Sequence, residues 1–194
     1  MLKKTILILT IIIPIMGIII FNFFSKSHFD IPFYYQENIP SEFHCDKVSA
    51  PYNIDEDLKY FTIDSISLFP FNRNDIKIIS ISQLNDTYTS ALNRVADEFN
   101  DNEGLKVYSF GLHDFDSKIP VSPNIIGLGI VDSMEQIKEC IFLISPGSGD
   151  NTLLVDQQNR IRGYYDLMDV DFTDSLIVET KILLHQIKNE NSQQ

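Results

Sequence analysis

The sequence predicts an α/β domain, a central mixed sheet flanked by helices, behind an N-terminal transmembrane helix. Residues 5–24 (TILILTIIIPIMGIIIFNFF) contain no charged side chain, and about 20 helical residues are enough to span the ~30 Å hydrocarbon layer of a bilayer. Beyond residue 60, short apolar or alternating runs typical of strands are followed in succession by segments of helical spacing. This succession of strand and helix patterns is typical of an α/β fold.

Two lysines, Lys3 and Lys4, come directly before the apolar stretch. Because positive charge stays on the cytoplasmic side, they predict a cytoplasmic N-terminus and an extracytoplasmic domain, periplasmic in a bacterium. A cleaved signal peptide is the alternative, but its apolar region normally has about 7 to 15 residues and ends at small residues. Here the stretch is longer and stays bulky through residues 21–24. We therefore expect residues 1–24 to form a cytoplasmic stub and an uncleaved single-pass anchor.

Acidic side chains dominate the chain, with 27 Asp and Glu against 15 Lys and Arg. A surface of this charge repels phosphate backbones and anionic lipids, which argues against nucleic acid as a partner. The ordinary interpretation is that acidity keeps an exported domain soluble. The predicted contact with the membrane is through the N-terminal helix.

Residues 25–59 predict an extended tether, because they are rich in Pro, Tyr, Phe and Ser without helical spacing. The aromatic side chains of this tether need cover, so part of it is expected to lie along the domain. The domain itself is predicted to span residues 60–188, and residues 189–194 form a polar tail. Its predicted elements are a hairpin from Tyr60, a central strand at 75–82, a helix at 88–100, a strand at 105–112, a helix at 133–143, a hairpin at 153–166 and an amphipathic helix at 174–188.

The second hairpin, LLVDQQNRIRGYYD, is the most distinctive part of the sequence. Two apolar runs flank a polar turn, so Leu154 and Ile161 are expected in the interior. Gln157 and Asn159 are expected at an exposed turn.

The second strand of this hairpin also carries a candidate partner surface. Strand alternation places Arg160, Arg162 and Tyr164 on one face. The ordinary alternative is that these arginines pair with the many carboxylates of the chain.

With the helix and strand order around it, the hairpin resembles the thioredoxin-like domain of the SCO/SenC family, membrane-tethered copper chaperones of cytochrome oxidase assembly. The resemblance covers about residues 61–187. It implies a thioredoxin-like fold and a copper site, in which a Cys-x-x-x-Cys loop after the first central strand and a distal histidine supply the soft ligands that Cu(I) prefers. The corresponding loop here, residues 82–89 (SQLNDTYT), contains no cysteine, and residues 147–151 contain no histidine.

Because the chain resembles this family but lacks its metal ligands, we expect a non-catalytic, SCO-like domain with no cofactor. Such a domain would act by binding, as an accessory factor in the assembly of a membrane or respiratory complex. The alternative is an active copper chaperone or thiol-disulfide protein of respiratory oxidase assembly. That alternative would use Cys45, Cys140 or a histidine that folding brings close to them.

The chain has two cysteines, Cys45 and Cys140, which face an oxidising compartment if the anchor prediction holds. A disulfide between them would close a loop of about 95 residues and would stabilise the fold by ~4–5 kcal/mol in the chain-entropy model. Cys140 begins an apolar run, however, and this context favours a buried, unpaired thiol. Both states follow from the sequence, with the unpaired thiol as the expectation.

Two histidine-containing segments are weak candidates for a metal site. His44 and Cys45 are adjacent, but consecutive side chains of an extended segment point apart, and no second ligand pair lies nearby. His113 lies in an acidic loop after a strand, where functional residues often occur. Acidic loops are ordinary in so acidic a chain, so solvent-exposed side chains are the expected state of both segments.

Overall fold

The computed structural model describes residues 13–17, 31–43, 45, 48–54, 59–62, 65–68, 74–81, 85–110, 120–128 and 134–191. Residues 13–17 are helical, and the remainder of the predicted anchor at residues 5–24 lies outside the described residues. Within the described part of the chain, no helix combines the length and the apolar character that crossing a bilayer requires. The chain divides into two compact units, Met1–Asp30 and Ile31–Gln194. The anchor and its topology therefore stay predictions.

The described part of the second unit contains seven strands and three helices in an α/β order. The strands are β1 (Lys59–Thr62), β2 (Ser65–Leu68), β3 (Ile76–Ile81), β4 (Leu105–Phe110), β5 (Ile125–Leu128), β6 (Thr152–Val155) and β7 (Ile161–Tyr165). The helices are α1 (Asp86–Glu98), α2 (Met134–Cys140) and α3 (Val170–Asn191).

Five of the strands form one mixed sheet in the order β5-β4-β3-β6-β7. β3 pairs in parallel with β4 and antiparallel with β6, while β5 is parallel to β4 and β7 antiparallel to β6. All six residues of β3 are buried, which confirms the prediction of a central strand covered on both faces. β1 and β2 pair antiparallel as a separate two-stranded sheet, as the first predicted hairpin requires.

Apolar side chains cover both faces of the five-stranded sheet. Alternate residues of β3 supply the two sides, since Ile76 and Ile78 belong to one hydrophobic cluster and Ile79 and Ile81 to the other. The first cluster includes side chains of α1 and α3, among them Leu92, Val95, Leu176 and Leu183. The second includes Phe110, Phe142, Ile144, Leu153, Val155 and Ile161, with Met134 and Ile137 of α2 packed against it.

The N-terminal part of this unit, predicted as tether, is packed onto the domain. We call the described residues between 31 and 54 the strap. Ile54 is 1% exposed and belongs to the second cluster. The backbone N–H of Tyr34 donates to the Ile161 oxygen at 3.1 Å, and that of Ile54 donates to the Asn159 oxygen at 2.9 Å. Because β7 is the last strand of the sheet, the first bond places the strap at its otherwise free edge, and the second joins the strap to the turn before β7.

Two helices begin earlier than the sequence predicted, for reasons visible at their N-termini. The N–H of Tyr88 donates to Asn85 Oδ1 at 2.9 Å, so Asn85 caps α1 and the helix starts at Asp86. Asp169 accepts from the N–H of Asp171 at 2.8 Å, and α3 starts at Val170. Short polar side chains thus explain why both helices begin before the first residue of their apolar pattern.

β5 was not predicted from the sequence. This strand has only its first and last residues, Ile125 and Leu128, buried, while Ile126 is 42% exposed. A four-residue strand with a glycine and an exposed isoleucine shows no alternation, which explains the omission.

Arg160 and Arg162 lie on one side of the hairpin, since the guanidinium groups of both lie over the ring of Phe33, whereas Tyr164 packs against the second hydrophobic cluster. The register of β6 against β7 shifts by one residue at Arg162, which forms a bulge in β7. A bulge interrupts the period of two. Ile161 and Tyr164, three residues apart, consequently pack on the same hydrophobic cluster.

Candidate functional site

The end of β3 and the start of α1 form the sheet edge at which the SCO/SenC resemblance implies a copper-binding loop. Residues 82–84 of that loop lie outside the described residues. The centre of the described edge is the fully buried side chain of Tyr88. Its hydroxyl lies 2.9 Å from Ser80 Oγ and 2.7 Å from Thr152 Oγ1, and it donates to the Asn151 oxygen at 3.2 Å. Burial raises the pKa of Tyr88 to about 12, so the phenol stays neutral at physiological pH.

The segment in which the distal histidine would be expected ends with Asn151. Its backbone N–H donates to the Tyr165 oxygen at 3.1 Å and its Nδ2 donates to Asp166 Oδ1 at 3.0 Å. Its Oδ1 accepts from the N–H of Leu167 at 3.3 Å. Asn151 therefore joins the start of β6 to the end of β7 and serves the fold.

The described side chains at this edge do not fit a copper ion. They are hydroxyl, amide and carboxylate groups bonded to one another, whereas Cu(I) is held by thiolate, thioether or imidazole donors. Among the described residues, no group of three His, Cys, Asp or Glu side chains is arranged to hold a metal ion. His44 and His113 lie outside the described residues, so their candidacy stays untested.

The two cysteines are joined to each other. Cys45 of the strap and Cys140, the last residue of α2, form a disulfide with a Cα–Cα distance of 5.5 Å, within the range that a disulfide needs. The expectation of a buried, unpaired thiol at Cys140 is wrong. Its side chain is only half-buried, because Phe142 and Leu143 of the same apolar run occupy the interior. The strap brings Cys45 within bonding distance, which sequence spacing cannot show.

Three tyrosine hydroxyls hold the chain directly after α2. They donate to three successive carbonyl oxygens, those of the residues that follow the helix. The pairs are Tyr52 to Ile141 at 2.7 Å, Tyr164 to Phe142 at 2.9 Å and Tyr35 to Leu143 at 3.1 Å. Burial raises the pKa of Tyr164 and of Tyr35, so both remain donors at physiological pH. Two of the three tyrosines belong to the strap, which is thus fixed to the chain directly after α2, next to the disulfide.

Arg162 anchors the beginning of the strap. It is 5% exposed, and its guanidinium donates to the Ile31 oxygen at 2.7 Å, the Pro32 oxygen at 3.2 Å and Asp156 Oδ2 at 3.2 Å. Its guanidinium carbon lies 3.9 Å from the ring centre of Phe33, a cation–π contact. A buried arginine requires such a complete set of acceptors.

The other two members of the candidate partner surface are also engaged within the chain. Arg160 donates to Asp156 Oδ2 at 2.8 Å, and its guanidinium lies 4.3 Å from the ring of Phe33. The ring of Tyr164 packs edge-on against that of Tyr34 at 5.3 Å. The ordinary interpretation of the arginines, pairing with a carboxylate, is the one observed. In the structure these three residues contact the strap, and their role as a partner surface stays a prediction.

The sheet order and the flanking helices decide the fold class. The fold is thioredoxin-like. No family model matches the sequence, and no curated protein is detectably similar to it. Among solved structures, the thioredoxin-like domain is similar to BsSco, a member of the Sco family of cytochrome c oxidase assembly proteins, with a TM-score of 0.48 and 13% identity over 69% of this chain and 95% of that one.

Two further structures illustrate the range of these similarities. One is a SCO1/SenC family lipoprotein from Bacillus anthracis, with a TM-score of 0.47 and 13% identity over 66% of this chain and 92% of that one. The other is the thioredoxin domain of a thiol-disulfide oxidoreductase from Bacteroides vulgatus, with a TM-score of 0.40 and 8% identity over 69% and 99%. At such identities the similarities concern overall shape and carry no statement about activity.

The turn of the second hairpin in the thioredoxin-like domain differs from its prediction. Leu154 and Ile161 are fully buried, as expected, but Asn159 is only 2% exposed. It has a positive φ of 60°, a conformation that asparagine tolerates well. Its Oδ1 accepts from Lys77 Nζ at 2.8 Å, and Lys77 also donates to the Asp75 oxygen at 2.8 Å. The turn is thus held toward the interior by the buried Lys77. The sequence pattern did not indicate that Lys77 and Asn159 would pair.

The burial of Lys77 predicts an unusual pH dependence of stability. Burial lowers the pKa of Lys77 from its ordinary value of 10.5 to about 8, against the opposing carboxylates of Asp75 and Asp156. Between these values the unfolded chain binds more protons than the folded one, so the free energy of unfolding rises with pH, by at most about 1.4 kcal/mol per pH unit. This contribution is lost as the pH falls through 8. Urea unfolding at about pH 7.5, 8.5 and 9.5, below the onset of tyrosine ionisation, would measure it.

The control for this prediction is Lys77→Met, which removes the titrating group from the same buried position. It should flatten the rise, whatever its effect on absolute stability. An equal slope in both proteins would show that Lys77 is not responsible.

The sequence did not indicate Asp156 or the strap tyrosines as important residues. For Asp156 a signal existed, since aspartate at the start of a turn commonly accepts from backbone N–H groups. Its Oδ1 accepts from the N–H of Gln158 at 2.9 Å and of Arg160 at 3.0 Å. For Tyr35 and Tyr52, the partners are about 90 to 110 residues away, as the pairs to Leu143 and Ile141 show.

Proposed function

We propose that this protein is a membrane-anchored, extracytoplasmic, SCO-like protein that acts by binding, without thiol redox or copper chemistry. The solved structures similar to it include members of a family of cytochrome c oxidase assembly proteins. We infer that this chain serves as an accessory factor in the assembly of a membrane complex of that kind. The observation that carries the proposal is the disulfide between Cys45 and Cys140, the two cysteines of the chain.

The disulfide lies away from the place at which a thioredoxin-like domain would use thiols. Thiol-disulfide exchange needs an attacking thiolate and a second thiol to resolve the intermediate. At the described end of β3 and start of α1 there is no cysteine, and the polar side chains are those of Ser80, Asn85, Asp86, Thr87, Tyr88 and Thr89. An unactivated hydroxyl is a poor nucleophile. These residues support a domain that has kept the fold and lost the reaction.

The test uses the full-length protein in detergent micelles. We expect no reduction of insulin disulfides above the background rate, and no stoichiometric Cu(I) binding in competition with a chromophoric chelator. A Cys45→Ser, Cys140→Ser double variant is the matched control. Stoichiometric copper binding that this variant abolishes would overturn the proposal and favour the active chaperone. Binding that persists in the variant would also overturn it, and His44 and His113 would then be the first positions to replace.

A separate prediction concerns topology. The uncharged residues 5–24 and the preceding Lys3 and Lys4 imply a single anchor with the domain outside the cytoplasm. Alkaline carbonate extraction should leave the full-length protein in the membrane fraction. Release of a shortened, soluble form would show cleavage instead, without bearing on the copper experiment.

A further inference from the structure

The disulfide attaches to the domain the middle of a loop whose two ends are already joined by hydrogen bonds. The N–H of Tyr52 donates to the Tyr35 oxygen at 3.0 Å, and Gln36 Nε2 donates to the Tyr52 oxygen at 3.1 Å. We call the described residues between 37 and 51 the strap loop. Compact loops of about this length with adjacent ends form independent units on many proteins. Cys45 lies midway along the strap loop and is bonded to Cys140 of the domain.

Apart from the disulfide, few described contacts hold the strap loop on the domain. Phe43 is 8% exposed and packs edge-on against the ring of Tyr35 at 5.9 Å. The Ser145 hydroxyl donates to Glu42 at 2.7 Å in an exposed position, where one hydrogen bond contributes little. The other described residues of the loop are exposed or half-buried. The loop therefore owes its position chiefly to the disulfide and one aromatic ring.

The flanks of the loop are held in a different way. Before it, Arg162 and the backbone of β7 hold the residues from Ile31 to Tyr34. After it, Ile54 is buried in the second cluster and its N–H donates to the Asn159 oxygen. Because these contacts are independent of the disulfide, breaking the disulfide should free the loop and leave the flanks in place.

We propose that the disulfide Cys45–Cys140 holds the strap loop on the domain and releases it when a protein dithiol on the extracytoplasmic side reduces the disulfide. Both sulfur-bearing side chains are half-buried rather than enclosed, which leaves the bond open to attack. A thiolate of the dithiol attacks one sulfur, forming a mixed disulfide and expelling the other cysteine as a thiolate. The second thiol of the partner then resolves the mixed disulfide. The partner ends as a disulfide, and its two hydrogens pass to Cys45 and Cys140.

Opening changes the surface offered to other proteins. The ring of Phe43 leaves its place against Tyr35, so an apolar ring and the face that it covered become exposed together. Exposed apolar surface next to polar groups is typical of protein-binding sites. The inference rests on the proposed function for the extracytoplasmic location alone, because it needs a single reduction of this disulfide and no catalytic cycle.

The experiment is hydrogen exchange by mass spectrometry on the full-length protein in micelles, before and after reduction by tris(2-carboxyethyl)phosphine or by reduced thioredoxin as the dithiol probe. We expect exchange at the Phe43 amide, bonded to the Pro40 oxygen at 3.3 Å, to rise about tenfold or more. Exchange at the Ile54 amide and in α1 should not change. The Cys45→Ser, Cys140→Ser variant should show the reduced pattern without reductant, and Ser145→Ala should show the oxidised one.

Three results would overturn the proposal. Equal exchange of the loop in both redox states would show that the disulfide does not hold it. Loss of protection across the whole domain would show that the disulfide stabilises the entire domain and not the strap loop alone. Opening by the phosphine but not by thioredoxin would rule out exchange with a protein dithiol. None of these results depends on copper binding or insulin reduction, so the proposed function is tested separately.

Discussion

Replacing Ile161 with Asp is expected to prevent the thioredoxin-like domain from folding. Ile161 is fully buried in the second hydrophobic cluster. The change removes roughly 1.5–3 kcal/mol of apolar burial and places a carboxylate among apolar side chains, at a cost of several kcal/mol more. Domains of this size are stable by about 5–15 kcal/mol. Circular dichroism and urea unfolding of the variant would measure the loss.

The matched control is Gln158→Asp, three residues earlier in the same hairpin. Gln158 is exposed, and its side-chain oxygen accepts from Arg160 at 2.9 Å, a bond that a carboxylate can also accept. We expect less than about 0.5 kcal/mol of change, as for most surface substitutions. Equal stability of the two variants would contradict the register of β7, which places Ile161 in the interior.

The second large effect is expected for Arg162→Met. The variant loses a guanidinium that donates to the Ile31 and Pro32 oxygens and to Asp156, and it leaves those acceptors without this donor in a buried region. Breaking one partner of a buried ion pair typically costs about 3–5 kcal/mol. The loss should appear as a lower urea midpoint with faster proteolysis of the strap.

Arg160→Met is a close control for Arg162→Met. Both arginines donate to Asp156 and lie over the ring of Phe33. Their side chains differ in exposure, 31% for Arg160 against 6% for Arg162. A partly exposed pair contributes about 1 kcal/mol or less. Equal losses in the two variants would mean that burial is not what makes Arg162 important.

The α/β class and the central strand were predictable because they depend on local patterns. The apolar run of β3 specifies a buried strand without knowledge of the rest of the chain. The spacing of Leu92 and Val95 in α1, and of Leu176 and Leu183 in α3, specifies the buried helix faces in the same way. The fold of the second hairpin was predictable in outline for the same reason. Its bulge was not predicted, and it lies at Arg162, which donates to the Ile31 oxygen 131 residues earlier in the chain.

Long-range polar contacts explain most of the remaining differences. The pair of Lys77 and Asn159 joins residues 82 positions apart, and the disulfide joins residues 95 apart. Neither has a local signature. At the candidate site, the sequence already showed the missing cysteines and histidine. It did not show that Tyr88 and Asn151 would hold that edge together through hydrogen bonds.

The position of the strap along β7 has a consequence for the solubility of the domain. An unpaired edge strand offers backbone N–H and C=O groups to any other strand, and proteins cover such edges to avoid aggregation. Here the cover consists of the bonds from Tyr34 to Ile161 and from Ile54 to Asn159. A shortened protein starting at residue 60 would expose this edge and the apolar side chains beneath it. The strap thus protects the domain against edge-to-edge association with other strands.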